Sequence, residues 1–234
     1  MFSFLTIIPT SNANLETIAK HMYLFPIVGI AIGLLIGSIG FGLSLFLDPL
    51  IVSLIVIASI AVITGIHHTD GLADFADGLM AKGTKEKKLK AMKDLATGSA
   101  GIISIVFYIV GAIIALSLTS GYDLFKIILL SEILAKFSMV LMASLGNSAS
   151  IGSNSPFVYV MKDKKRLTIA ALITIIPFLI IGEPTGFLVL ASVIVMTMFL
   201  VAISTRNFGG ITGDVLGAAN EITRLGSMLI FVSL

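Results

Sequence analysis

Residues 64–101 read TGIHHTDGLADFADGLMAKGTKEKKLKAMKDLATGSAG, and they interrupt a chain otherwise dominated by Leu, Ile, Val, Phe and Gly. Within them stand Asp70, Asp74, Asp77 and Asp94, the adjacent His67 and His68, and six lysines between positions 82 and 93. Carboxylates at i, i+4 and i+7 share one face of a helix. Leu72, Ala73, Phe75 and Ala76 between them are apolar, so the carboxylates form a stripe on a helix that is buried elsewhere. Like charges crowded on one face repel, and a hard divalent cation is the natural compensation.

The segments around this stretch set the class of protein. The chain has 234 residues, 57% hydrophobic and 12% charged, with a mean hydropathy of +1.09. A water-soluble domain carries about 25% charged residues, so this is an all-α integral membrane protein with one polytopic domain over residues 1–234. It lacks Cys, which excludes disulfides and thiolate chemistry. With no Trp and four Tyr, aromatic belts do not mark the helix ends. A net charge of +2, without basic runs interleaved with aromatics, argues against a nucleic-acid partner. Residues 1–14 have neither a basic n-region nor a small-residue cleavage site, so no cleavable signal is expected.

Six spans are expected: 22–47, 50–66 running straight into the acidic stretch, 102–118, 122–145, 167–181 and 187–204. Residues 1–9 are apolar but short and stop at Pro9, as an interfacial or re-entrant segment would. Residues 226–234 read as a truncated or half-inserted last helix, giving a bundle of six to seven transmembrane helices. Gly29, Gly33 and Gly37 form overlapping GxxxG repeats, which allow close helix contact and permit a homodimer; glycine is also simply common in membrane helices. Lys126, Glu132 and Lys136 lie in the fourth span, with Glu132 and Lys136 spaced to form an ion pair. Alternating six spans places thirteen of the fifteen Lys and Arg on one side. The positive-inside rule makes that side cytoplasmic. The protein is then a multi-pass cell-membrane protein, in contact with lipid, with its acidic helical site facing the cytoplasm.

The carboxylate cluster admits three readings: a solvated face, a cation-transport site or a metal-dependent catalytic site. A transporter needs its carboxylates near the bilayer midplane, whereas these sit at a span end. Lysines beside carboxylates suit phosphate chemistry, with carboxylates holding Mg²⁺ and lysines such as Lys93 neutralising the phosphates. Gly71 and Gly78 each follow an Asp, so a backbone or a phosphate can approach there. A turn near Gly83 lets a second helix bring Asp94 back as a fourth ligand. His68 lies off the carboxylate face and suits a general base or a phosphate contact. A second polar island, 206–224, carries Gly210, Gly213, Asp214, Glu221 and Arg224. Asp214 and Glu221 are i, i+7, Arg224 can bind a phosphate or pair with Glu221, and the glycines open a helix whose N–H groups can meet an anion.

The run HTDGLADFADGL, then MKD, then GGITGDVLGAANE resembles the cobalamin synthase family of adenosylcobinamide-GDP ribazoletransferases. Phe4-Leu5-Thr6 with Pro9, and Phe25-Pro26 with Gly29 and Gly33, extend the resemblance over most of the chain. Ile7 stands where that family often has Arg, Lys136 where Arg is frequent, and Leu95 where Ser is common; these depart from secondary substrate contacts and leave the acidic blocks intact. The resemblance implies joining adenosylcobinamide-GDP to α-ribazole, or to α-ribazole 5′-phosphate, with release of GMP and with Mg²⁺ as cofactor. It implies metal ligation by Asp70, Asp74, Asp77 and Asp94, proton removal by Asp94, Asp77 or His68, with Asp94 favoured, and phosphate contacts from Lys93. Substrate contacts fall to Asp214, Glu221, Arg224, Gly210 and Gly213. Two alternatives stand beside it. A membrane CDP-alcohol phosphotransferase fits less well, because Asp74 replaces an Arg of that motif and its second Gly/Asp pair is missing. The other is a cation transporter.

Overall fold

The computed structural model describes residues 2–9, 14–149 and 155–234. Its helices are α1 (Phe2–Leu5), α2 (Leu15–Lys20), α3 (Phe25–Ser44, entered through a 3-10 turn at Met22–Leu24), α4 (Pro49–Thr64), α5 (His67–Met80) and α6 (Lys85–Met92). They continue with α7 (Ser99–Ser117), α8 (Gly121–Leu145), α9 (Ser155–Met161), α10 (Lys164–Ile181), α11 (Glu183–Phe208) and α12 (Gly213–Ser233). The starts are written in local chemistry. The Asp48 side chain accepts from Leu50 N ahead of Pro49, that of Asp163 accepts from Lys165 N, and Thr212 Oγ1 accepts from Val215 N. Each satisfies a backbone donor that a helix start leaves free.

Helix α8 is the axis of the bundle and is buried without a break from Ile127 to Ala143. Helix α3 lies along it through the glycine row. A Cβ on Gly29 would sit 2.6 Å from the Glu132 carbonyl oxygen, and one on Gly33 would sit 2.8 Å from Leu129 Cα. The GxxxG face is therefore filled within the chain, and α8 covers the surface that would have permitted a homodimer.

Among the described residues, five helical segments are long and apolar enough to cross a membrane: Met22–Ser44, Ser99–Ser117, Gly121–Leu145, Glu183–Phe208 and Gly213–Ser233. The pair α4 and α5 makes a sixth if counted together. Helix α10 is continuous over the expected fifth span, but Lys164, Lys165 and Arg166 fill its first turn. The described residues thus give five to six candidate spans, which meet the expected six to seven at six.

Two expectations fail for physical reasons. The second span does not run on into the acidic stretch, because α4 and α5 meet at 91°. The corner is made by Gly65 (φ 65°) and Ile66 (φ 59°), both left-handed. Glycine accepts that geometry freely, whereas a β-branched residue is strained by it. Helix α5 therefore lies across one end of the bundle. Conversely, residues 226–234 are not a truncated last helix but the second half of α12, a full 21-residue helix that opens inside the 206–224 island. Its first half looks polar because Asn220, Glu221, Thr223 and Arg224 are buried against neighbouring helices and face no lipid.

The two ends of the bundle differ in charge. At the far end, Gly121 N donates to Ser44 Oγ, and Lys126 pairs with Asp123 at 3.0 Å and Glu183 at 2.8 Å, so Lys126 is not buried mid-span. Lys136 and Arg224 are interior. The other twelve of the fifteen basic residues belong to α2, the 82–93 segment, the 162–166 cluster and the end of α11, around the end that α5 crosses.

Candidate active site

The outer face of α5 and the first turn of α12 build this site together. Gly71 is what lets them meet: a Cβ there would lie 3.0 Å from the Asp214 carbonyl oxygen and 3.4 Å from Gly217 Cα. Gly217 returns the favour, with its own Cβ position 3.3 Å from the His68 backbone. The close approach brings Asp214 from the second acidic block beside Asp70 and Asp74 of the first. Burial, then the charges of Asp70, Asp214 and Asp77, push the Asp74 carboxyl up to about 6. Lys93 is exposed and close enough for its charge to act on Asp214.

Other residues of the stretch are occupied differently. Asp77 accepts from Gly98 N at 2.6 Å and Gly101 N at 2.9 Å, holding the first turn of α7 with both carboxylate oxygens. A carboxylate at a helix N-terminus is well placed for both the free N–H groups and the helix dipole. Helix α6 does return after Gly83, but Asp94 lies beyond its end, is exposed, and accepts from Ala96 N at 3.1 Å. Lys88 ties α6 to its neighbours by donating to Leu79 O at 2.7 Å and Asn207 Oδ1 at 3.1 Å. Gly78 admits Met92 and Lys88, so both stripe glycines accommodate protein. Gly210 packs on the 147–149 loop, beside the Ile211 N to Asn147 O bond of 2.7 Å. Gly213 borders the cavity described below.

Glu221 and Arg224 lie in the bundle interior, away from the acidic face. Arg224 Nε lies 2.6 Å from Glu132 Oε1, its Nη1 donates to Tyr108 Oη at 2.8 Å, and it also pairs with Glu221. Lys136 Nζ donates to Asn220 Oδ1 at 2.7 Å and stands 3.5 Å from Glu132. The expected Glu132–Lys136 pair is present, as part of a larger network. All four charged groups are buried, and two carboxylates balance two cations. That is how charge is tolerated inside a membrane bundle.

Beside the carboxylates opens a cavity of about 350 Å³. His67, His68 and Asp214 border one side of it, and Phe4, Phe25 and Phe157 another. Burial, then the charges of Lys136 and Arg224, hold His68 well below the ordinary imidazole range, so its ring is neutral at pH 7. Sequence reading did not pick out the aromatic wall as functional. Its rings come from three separate helices, and the only local signal was that Phe4 and Phe25 fall in the N-terminal words that resemble the family.

Among the described residues no three His, Asp or Glu side chains close on one point as a metal cage. Mg²⁺ does not require one: it is usually held by one or two carboxylates, with water and substrate phosphates completing six ligands. Asp70 and Asp74, with Asp214 opposite, form a donor set of that kind, and their mutual repulsion is what a divalent cation relieves.

A family model described as cobalamin-5-phosphate synthase matches residues 1–232. A protein of Methanocella arvoryzae is 36% identical, covering 97% of this chain and 91% of its own length. One of Pyrococcus abyssi is 32% identical over 97% and 94%, and one of Archaeoglobus fulgidus 33% over 97% and 92%. All three are named adenosylcobinamide-GDP ribazoletransferase. No solved structure matches the chain. With its two acidic blocks joined at Gly71 and a match over nearly its whole length, the chain belongs to the cobalamin-5-phosphate synthase family.

Proposed function

We propose that this protein is an Mg²⁺-dependent adenosylcobinamide-GDP ribazoletransferase of the cell membrane, with its site on the cytoplasmic side. The observation that carries the reading is the meeting of Asp214 with Asp70 and Asp74 beside a nucleoside-sized cavity. The 3′-oxygen of α-ribazole, or of its 5′-phosphate, forms a bond to the phosphorus on the cobinamide side of the pyrophosphate. The bond from that phosphorus to the bridging oxygen breaks, and GMP leaves with the electron pair.

Asp70 and Asp74 are the groups that would hold Mg²⁺, which when bound neutralises pyrophosphate charge. Asp214, at the cavity edge, orients the attacking hydroxyl and takes its proton at a carboxylate oxygen. Lys93 and its neighbouring lysines attract and hold the phosphates. Asp77 and Asp94 are better used as positioning residues, Asp77 at the start of α7 and Asp94 in the turn after α6. The twelve basic residues around this end support the cytoplasmic orientation.

The test is purified protein in liposomes, supplied with adenosylcobinamide-GDP and α-ribazole. GMP and an adenosylcobalamin-mass product should form together, only when both substrates are present. Excess chelator should stop the reaction and Mg²⁺ restore it. GMP release without α-ribazole, or activity in excess chelator, contradicts the proposal.

A further inference from the structure

We infer that the cavity between α1, α5, α9 and α12 is the site for the base of the acceptor nucleoside, and that it selects an apolar heteroaromatic base over guanine. This rests on the ribazoletransferase reading and adds which half of the reaction the cavity serves. Phe4 and Phe157 stack with ring centroids 5.4 Å apart, and Phe25 lies 6.1 Å from Phe4 and 6.5 Å from Phe157. Met139 completes this wall. A volume of about 350 Å³ is in the range that holds a small ligand.

The polarity of the walls decides between the two nucleosides of the reaction. Guanine presents an amide N–H, an amino group and a carbonyl along one edge, and burying such groups unpaired is costly. The aromatic wall has nothing to pair with them, Ser3 adds one hydroxyl, and Asp214, the carboxylate at the cavity edge, is committed to the reacting ribose hydroxyl. A dimethylbenzimidazole presents two methyl groups, a flat π-face and a single ring-nitrogen acceptor. The methyl groups and the face suit the Phe and Met wall. His68 borders the cavity, and its buried Nδ1 has no hydrogen-bond partner among the described residues, so the imidazole has capacity to pair with that nitrogen. With the base there, the ribose falls toward Asp214 and His67, on the carboxylate side where its hydroxyl must react.

Binding is read without turnover, from the intrinsic fluorescence of α-ribazole on protein in lipid nanodiscs with no corrinoid present. The wild type should bind it, and excess GMP should leave it bound. Removing the two methyl groups from the ligand, which needs no protein variant, should weaken binding about tenfold or more. Phe157→Ala should weaken it by about tenfold, and Phe157→Leu by less, while the KM for adenosylcobinamide-GDP changes less than about twofold. Displacement by GMP, indifference to the methyl groups, or a Phe157→Ala effect confined to the corrinoid KM overturns the inference. Nucleoside binding with no GMP-releasing turnover would instead count against the transferase reading and leave the cavity assignment standing.

Discussion

Asp74 and Asp77 stand three residues apart on α5, share a helix face, and do different work. Asp74 sits among three other carboxylates and rises to about 6, whereas Asp77 spends its oxygens on two backbone amides of α7. The variants should separate accordingly. Asp74→Asn should lower turnover by about a thousandfold or more and shift the Mg²⁺ dependence of what remains. Asp77→Ala should cost about 2–4 kcal/mol of stability by removing two charge-assisted bonds, with the Mg²⁺ dependence of residual activity unchanged. Thermal melts and Mg²⁺ titrations on both variants check this. A pH effect follows from Asp74 as well. Its carboxyl is raised from the ordinary 3.8 to about 6 on folding, so the folded state binds the extra proton between those values. Its stabilising contribution is complete below 3.8 and lost as pH rises through about 6. Measured against Asp74→Asn, in which the opposite contribution of the buried His68 cancels, metal-free wild type should therefore lose melting temperature between pH 5 and pH 7, and millimolar Mg²⁺ should remove most of that difference. None of this division was legible from i, i+4, i+7 spacing, because the partners of Asp77 lie 21 and 24 residues away.

At the scale of elements, what could be read locally was read correctly and what depended on packing partners was not. The GxxxG words of α3 announced close contact, and the contact is with α8. Gly29→Leu should be far more damaging than a neighbouring lipid-facing change such as Leu35→Ala. Its Cβ alone would stand 2.6 Å from a carbonyl oxygen of α8, an overpacking that costs about 1–3 kcal/mol or more. Unfolding of the two variants in the same detergent measures the difference. The opening of α12 was expected, but its full length was missed because its polar half did not read as part of a membrane span. Hydropathy cannot distinguish Asn220, Glu221 and Arg224 facing a cleft from the same residues facing Glu132, Lys136 and Tyr108 across a bundle. The 91° corner before α5 was likewise invisible, since Gly65 signals a break but Ile66 does not.

Across the whole molecule, the interior network and the acidic end have separate duties. Glu132, Lys136, Glu221 and Arg224 lock α8 to α12, and α12 carries Asp214 to the site. Glu132→Ala strands Arg224 beside one remaining carboxylate and should destabilise the protein by about 3–5 kcal/mol, read as a fall in melting temperature with loss of activity in proportion to the unfolded fraction. The sequence-level resemblance already implied the reaction, and the basic residues already marked one end of the bundle. What the fold adds is the junction at Gly71 that makes two distant acidic blocks one site. The most direct test of that claim is GMP release from adenosylcobinamide-GDP by liposome-reconstituted wild type and Asp214→Asn, each with and without α-ribazole. The account predicts α-ribazole-dependent GMP from the wild type and a loss of about a hundredfold or more in the variant. Near-normal GMP release by Asp214→Asn would contradict it.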